Sequence, residues 1–106
     1  MEFQIDITEP ALADAAEYVR FIRDDNSEPA AAEQWFRGLV QTIYSLENHP
    51  ERCTLIPERK RFPRDIRQLI YFSHRIVFSV DHQEKKVVIY RVYHGSRRRL
   101  AAGDLH

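Results

Sequence analysis

The stretch Val87-Val88-Ile89-Tyr90-Arg91-Val92-Tyr93-His94-Gly95-Ser96-Arg97 decides the fold of this 106-residue chain. Its β-branched and aromatic residues favour a strand, and Gly95 allows the backbone to turn sharply directly after it. The strand therefore brings an imidazole, from His94, and a guanidinium, from Arg97, to one edge of a small domain. That edge is a candidate site, although a last core strand with a solvated basic end would show the same pattern.

The residues before this strand predict two helices and three further strands. Residues 2–7 alternate between apolar and polar side chains, which is the pattern of a half-buried strand. Thr8 and Ser27 each precede an acid and a proline, and a hydroxyl N-cap followed by proline is typical of a helix start. Asn48-His49-Pro50 ends the second helix. The remaining predicted strands are Ile66–Phe72, Arg75–Asp81 and Lys86–Tyr93, joined by turns at Ser73-His74 and His82–Lys85.

The element order β-α-α-β-β-β predicts one α+β domain of two layers over residues 1–106. The last three strands should form an antiparallel meander because their turns are short. The first strand must join that sheet, since an isolated strand is not stable. The helical hairpin covers one face of the sheet, and we expect the opposite face to be open and polar. One core is predicted to hold the side chains of Phe36, Leu39, Ile43, Ile76, Phe78 and Val88.

Composition limits the classes of function. The single cysteine, Cys53, cannot form a disulfide within the chain and favours a reducing cytoplasm. No run of about 18 apolar residues is present, so we expect no membrane association. The formal net charge is zero. However, the first 51 residues carry eight more acids than bases, and the rest carry eight more bases than acids. The C-terminal half could face phosphates, or the two halves could neutralise each other.

The chain has no P-loop, glycine-rich dinucleotide fingerprint or His-Glu-x-x-His motif. Its five histidines lack metal-ligand spacing, so we expect neither a metal nor a cofactor. What remains is a group of arginines around the C-terminal sheet, and arginine is suited to bidentate phosphate contact. The residues predicted to bind a nucleic acid or another target are Arg64, Arg67, Arg75, Arg97 and Arg98. A solvated surface charge is the alternative role for each arginine.

His94 adds a group that can transfer a proton near neutral pH. RNA cleavage by its own 2′-hydroxyl needs a base, an acid and cations around phosphorus, but no metal. His94, Arg67 and Arg97 could supply these as a catalytic set, and we expect them to lie close together. A strand-end histidine that is hydrogen-bonded to backbone is the alternative for His94.

Three segments together resemble the RelE/ParE superfamily of type II toxin–antitoxin systems: Ile66-Arg67-Gln68-Leu69, Arg75-Ile76-Val77-Phe78 and Val92–Arg97. The resemblance covers nearly the whole chain. It implies a small bacterial toxin that inhibits growth and stabilises plasmids, neutralised by a cognate antitoxin from the same operon. One branch of the superfamily cleaves mRNA in the ribosomal A site without a metal, and the other poisons DNA gyrase.

By position, Arg67 matches the family's second-strand arginine, and His94 and Arg97 match a His-x-x-Arg pattern found in both branches. The chain departs from the nucleases because it is neutral overall and ends in the short tail Ala101–His106, which carries no catalytic tyrosine. In addition, His74 stands where the family usually has an aromatic hydroxyl. The resemblance thus slightly favours the gyrase-directed, ParE-like branch.

A ribosome-dependent mRNA interferase and a non-toxic antitoxin-binding module stay open as alternatives, so enzymatic activity is undecided at this point. The basic C-terminal half should attract an acidic, partly disordered antitoxin segment to the surface near Arg67 and Arg97.

Overall fold

A computed structural model describes residues 2–58 and 64–95. In those ranges the helices are α1 (Glu9–Arg20), which continues as a π-helical turn over Phe21–Asp25, and α2 (Pro29–Tyr44), followed by short 3₁₀ turns at Ser45–Glu47 and Pro50–Arg52. The strands are β1 (Gln4–Ile7), β2 (Thr54–Leu55), β3 (Arg67–Tyr71), β4 (His74–Asp81) and β5 (Lys86–His94). No helix in these ranges is long and apolar enough to cross a membrane.

The strands form one mixed sheet in the order β1-β5-β4-β3-β2. β3, β4 and β5 pair antiparallel, and β1 lies parallel to β5 with Gln4 opposite Lys86. The predicted α+β architecture, a helical hairpin on a mostly antiparallel sheet that includes the first strand, is confirmed. β2 was not predicted, because the sequence around Thr54 has no strand periodicity. It pairs with β3 over only two residues.

The start of α1 is tied to the sheet by one hydroxyl. Thr8 Oγ1 accepts a hydrogen bond from the Ala11 backbone N–H at 3.3 Å, as the predicted N-cap requires. The same hydroxyl donates to the Tyr90 carbonyl of β5 at 3.0 Å. The predicted cap at Ser27 is wrong. Ser27 has a φ of 55°, outside the extended range of an N-cap, and Glu28 occupies the cap position without a side-chain bond.

The core between helices and sheet contains four of the six predicted residues: Leu39, Ile43, Ile76 and Phe78. Phe36 was predicted wrongly and is 42% exposed. Trp35 packs against the core in its place, because either position satisfies the helical spacing to Leu39. The prediction that Val88 belongs to this core is also wrong. Val88 is only half-buried, since Val87 and Ile89 point to the helices and strand alternation turns Val88 away.

The second face of the sheet is not open as predicted. Ile56 and Ile66 pack there against Val77 and Tyr93, all four of them buried, in a second apolar cluster. The Ile56 N–H donates to the Ile66 carbonyl at 2.9 Å, which closes the segment that carries them over the sheet. Residues 50–65 show no regular pattern of apolar residues in the sequence, but part of this segment packs over the second face of the sheet.

The turn between β3 and β4 is shifted by one residue from the prediction. It lies at Phe72-Ser73, and His74 belongs to β4, opposite Tyr71. Phe72 occupies the turn with a φ of 52°. His74 is 3% exposed. The shift therefore buries an imidazole and exposes an aromatic ring.

Phe78→Ala should lower the free energy of unfolding by about 3–5 kcal/mol, because it empties a fully buried site. Phe36→Ala should lower it by about 1 kcal/mol or less, because the ring is already partly solvated. Urea unfolding of both variants, followed by circular dichroism, measures the difference. Equal losses at the two positions would contradict this assignment of the core.

Candidate functional site

An aromatic cluster lies where β5 ends, and it consists of Tyr18, Trp35, His74 and His94. His94 pairs with His74 across the strands, with ring centroids 5.0 Å apart. Tyr18 from α1 and Trp35 from α2 contact the His74 ring edge-on, at 4.3 and 5.1 Å between centroids. The cluster thus joins both helices to the sheet, and the predicted site histidine, His94, forms its outer edge.

A small cavity adjoins this cluster. It has a volume of about 80 Å³ and is lined by Asp14, Glu17, Tyr18, Phe21, His74, Val92 and His94. Water occupies about 30 Å³ per molecule in the liquid, whereas pockets for small-molecule ligands usually measure about 300–1,000 Å³. This cavity beside His94 therefore accommodates water or a single small group, not a nucleotide.

Arg91 is held by α1. Its Nε and Nη2 donate to the two carboxylate oxygens of Asp14, each at 2.8 Å, and the backbone N–H of Val92 donates to Asp14 Oδ2 at 3.0 Å. The Arg91 guanidinium also lies 4.3 Å from the centroid of the Tyr93 ring. A β-bulge at Tyr90 changes the register of β5 and brings Arg91 to this position.

The predicted target-binding residue Arg75, which lies on the second face of the sheet opposite Tyr93, is also held by a carboxylate. Its Nη1 and Nη2 donate to the carboxylate oxygens of Glu58 at 3.1 and 2.9 Å, and its Nε donates to the Gln68 side chain at 2.8 Å. The side chain of Glu58 is almost fully buried. This bidentate pair anchors the segment that covers the second face, so Arg75 is part of the structure rather than a free surface charge.

The other predicted residues are dispersed. Arg67 donates through Nη1 to the Cys53 carbonyl at 2.6 Å, and the exposed Arg64 lies 5.1 Å from the Tyr90 ring centroid. Arg97 and Arg98 lie outside the described residues.

Arg67 and His94 are not brought together. Arg67 lies opposite Phe78 of β4, and His94 lies opposite His74, four residues away from Phe78 on the same strand. At about 3.3 Å per residue, roughly 13 Å separates the two along the strand direction.

Two groups have pKa values shifted by burial. Burial raises the pKa of the Cys53 thiol, which therefore stays protonated at neutral pH. Burial also raises the pKa of Tyr71, whose hydroxyl donates to the Trp35 carbonyl at 2.8 Å. Neither group is a nucleophile or an acid poised near neutral pH. In residues 2–58 and 64–95, no group of three potential ligands is placed to hold a metal ion.

Sequence reasoning missed Asp14 and Glu58, which hold the two sheet arginines. Asp14 is the one polar residue in the run Ala13-Asp14-Ala15-Ala16, and an acid inside an otherwise small and apolar run is a usable signal. Glu58 stands next to the basic run Arg59-Lys60-Arg61, and its sequence context gives no sign that its partner is Arg75, 17 residues away.

Similar solved structures come from toxin–antitoxin systems. The toxin–antitoxin complex RelBE2 from Mycobacterium tuberculosis gives a TM-score of 0.63 at 18% identity, over 89% of this chain and 99% of that chain. The chromosomal ParDE system of P. aeruginosa gives 0.66 at 19%, over 88% and 96%. The archaeal RelE–RelB complex from Pyrococcus horikoshii OT3 gives 0.56 at 17%, over 92% and 100%. At these identities the likeness establishes a shared fold.

The fold is thus that of the RelE/ParE toxins of type II toxin–antitoxin systems, as the sequence resemblance predicted. The sequence profile of the ParE toxin of the type II toxin–antitoxin system parDE matches residues 5–99. The chain therefore belongs to the ParE toxin family. A comparison with curated proteins gave no significant match.

Glu58→Gln should lower the free energy of unfolding by about 3 kcal/mol, because Arg75 would lose its buried counter-charge. The matched control is Glu33→Gln, which removes the acid of the exposed pair with Arg37 and should cost no more than about 0.5 kcal/mol. Urea unfolding of both variants measures the contrast. A double variant, Glu58→Gln with Arg75→Gln, should regain part of the loss, and no recovery would show that the pair is not coupled.

Proposed function

We propose that this toxin inhibits growth by binding and poisoning DNA gyrase, and that it does not cleave mRNA on the ribosome. The observation that carries the proposal is that the sheet arginines are already bound by the protein itself. Arg75 is paired with Glu58, Arg91 is paired with Asp14, and Arg67 donates to the Cys53 carbonyl. A toxin built in this way has few free cations on its sheet for the phosphate of a scissile bond.

The energetics support this proposal. A cleaving enzyme must place cations at the pentacoordinate phosphorus, already oriented before the reaction. To release Arg75 for that task, a bidentate and largely buried ion pair must be broken, which typically costs about 3–5 kcal/mol. Substrate binding would have to supply that energy before any catalysis began.

Distances support it as well. A catalytic base must come within about 3 Å of the proton that it removes. His94 and Arg67 lie roughly 13 Å apart along the strands. The Arg67 guanidinium also donates to the Cys53 carbonyl, so Arg67 would have to leave that bond to reach a phosphodiester held at His94. Of the predicted catalytic set, Arg97 lies outside the described residues. His94 lines the small cavity of the aromatic cluster and also an open groove of about 290 Å³. The arginine that lines this groove, Arg75, is already paired with Glu58.

A cognate antitoxin belongs to the proposed function. Each of the three similar structures comes from a toxin–antitoxin system. Membership of the ParE family supports the same kind of partner for this chain. We expect the partner to be encoded beside the toxin.

One observation favours the mRNA interferase as a second candidate. His74 and His94 lie with ring centroids 5.0 Å apart, next to Tyr18, and two adjacent imidazoles can act as an acid and a base. In that case His94 would need a phosphate-binding cation from the end of the chain, where Arg97 and Arg98 follow it in sequence.

The deciding experiment expresses the chain in bacteria, alone and with the adjacent open reading frame. Purified toxin is then added to DNA gyrase with supercoiled plasmid and, separately, to ribosomes programmed with mRNA. We expect filamentation in cells, stabilised gyrase–DNA cleavage in the first assay, and intact mRNA in the second. Codon-specific mRNA cleavage would overturn the proposal. Growth without inhibition would instead indicate a non-toxic antitoxin-binding module.

His94→Gln separates the two toxic mechanisms, because glutamine keeps hydrogen bonding but does not titrate. We expect unchanged toxicity and unchanged gyrase inhibition. The matched control is His82→Gln, at the exposed β4–β5 turn, where the imidazole pairs with Glu51. If mRNA cleavage is present and falls about 10²–10⁴-fold in His94→Gln alone, His94 transfers a proton and the nuclease mechanism holds.

A further inference from the structure

His74 is a titratable side chain inside an apolar enclosure. Of the histidines in residues 2–58 and 64–95, it alone is buried, at 3% exposed. The rings of Tyr18, Trp35 and His94 surround it, with centroids 4.3, 5.1 and 5.0 Å from its own. A buried site of this kind disfavours the charged form of an imidazole, because the charge loses its contact with water. Protonation of His74 therefore works against the packing of both helices on the sheet.

The acids that face the two imidazoles can balance one added proton but not two. On α1, Asp14 and Glu17 line the cavity beside the histidines. The Asp14 carboxylate is already bound by the Arg91 side chain and the Val92 N–H. Glu17 is exposed, so water screens its charge. Two protonated rings with centroids 5.0 Å apart would therefore repel each other with little compensation.

The other described residues around the pair supply rings or charges that are already paired. An ordinary phenol is neutral below about pH 10, and burial raises the pKa of Tyr71, which lies opposite His74 on β3. Tyr18 of α1 and Trp35 of α2 bring only their rings to the cluster. On β4, the neighbouring Arg75 is paired with Glu58 on the second face of the sheet. A second proton on the two histidines thus has no counter-charge among these neighbours.

The surroundings of the pair also allow a response to protonation. Glu17 lines the cavity and is itself exposed, so water and protons can enter beside it. Shortly after Tyr18, α1 passes into the π-helical turn Phe21–Asp25. Turns of this kind interrupt the regular α-helix and are frequent at functional sites. This end of α1 is therefore the part of the helix that can shift when the aromatic cluster loosens.

We propose that His74 and His94 form an acid-sensitive switch. The pair holds Tyr18 and Trp35 on the sheet while it carries at most one proton, and it loosens this packing when acid adds the second. The switch lies at the end of β5, so the candidate site and the contact of both helices with the sheet respond to pH together. It requires no particular target or partner, so it stands or falls separately from the proposed function.

The first test compares the stability of wild type and His74→Phe at two pH values. An exposed imidazole titrates at about pH 6.5, so below that value the unfolded chain protonates both histidines while the folded protein protonates one. Stability is therefore lost as the pH falls. Between about pH 7.5 and about pH 5.5, the unfolding equilibrium constant of wild type should rise about tenfold more than that of His74→Phe. Urea unfolding measures both, in a range where ordinary carboxylates stay ionised.

The matched control for this test is His82→Gln. It removes an exposed histidine that pairs with Glu51 at 2.7 Å, outside the aromatic cluster. We expect this variant to keep the full acid-dependent loss of stability that wild type shows. If His82→Gln abolishes that loss and His74→Phe does not, the pH dependence belongs to a different histidine and the inference is overturned.

The second test uses Trp35, the only tryptophan of the chain, as a probe of the folded protein. Its ring is half-buried against Tyr18 and His74. Without denaturant, the emission maximum of wild type should move to longer wavelength between about pH 7.5 and about pH 5.5, because the ring becomes more solvated. The far-ultraviolet circular dichroism should not change, and the emission of His74→Phe should not move. An unchanged emission maximum in wild type would overturn the inference.

His94→Gln tests the pair from its other member and does not depend on how His74→Phe folds. It leaves a single imidazole in the cluster, so we expect the acid-dependent loss of stability and the shift of Trp35 emission to disappear. Two results contradict the switch. One is a His94→Gln variant that loses stability in acid as steeply as wild type. The other is a wild type that gains stability as the pH falls, which would mean that the cluster binds the second proton favourably.

Discussion

The carboxylate of Asp14 is the group on which the arrangement of this molecule most depends. β1 supports β5 only as far as Ile89, and beyond that point Asp14 accepts hydrogen bonds from the Val92 backbone and the Arg91 side chain. α1 thus takes over as the neighbour of β5 where β1 ends. The same helix places Tyr18 against His74, so the aromatic cluster depends on this contact as well.

The carboxylate of Glu58 has a comparable role on the second face of the sheet. It accepts hydrogen bonds from Arg75 and so anchors the segment that covers this face. Some charges of the acidic half pair with charges of the basic half. Asp14 binds Arg91, and Asp6 lies 3.9 Å from Lys86. Mutual neutralisation, one of the two interpretations of the charge asymmetry, therefore accounts for part of it.

The sequence predicted well what depends on local pattern and poorly what depends on distant partners. The Thr8 cap, the alternation of β4 and the inward face of α2 around Leu39 are set by neighbours in sequence, and they were predicted correctly. Trp35 and Phe36 compete for one inward position, and only packing against Tyr18 and His74 decides between them. Likewise, the sequence suggests that Arg75 is a phosphate ligand, because it does not reveal that Glu58 is its partner in the structure.

Charged side chains of this protein are bound to each other, whereas several apolar side chains are exposed. This contrast affects how such a toxin recognises other proteins. A bidentate arginine–carboxylate pair resists exchange with a new anion, since both partners would have to be desolvated again in a different arrangement. Exposed rings such as Phe36 and Phe72 carry no such cost, because burying them against a partner releases water and breaks no internal bond. Recognition by this protein should therefore depend mainly on apolar contact. Charge would then affect how fast partners meet more than how tightly they hold.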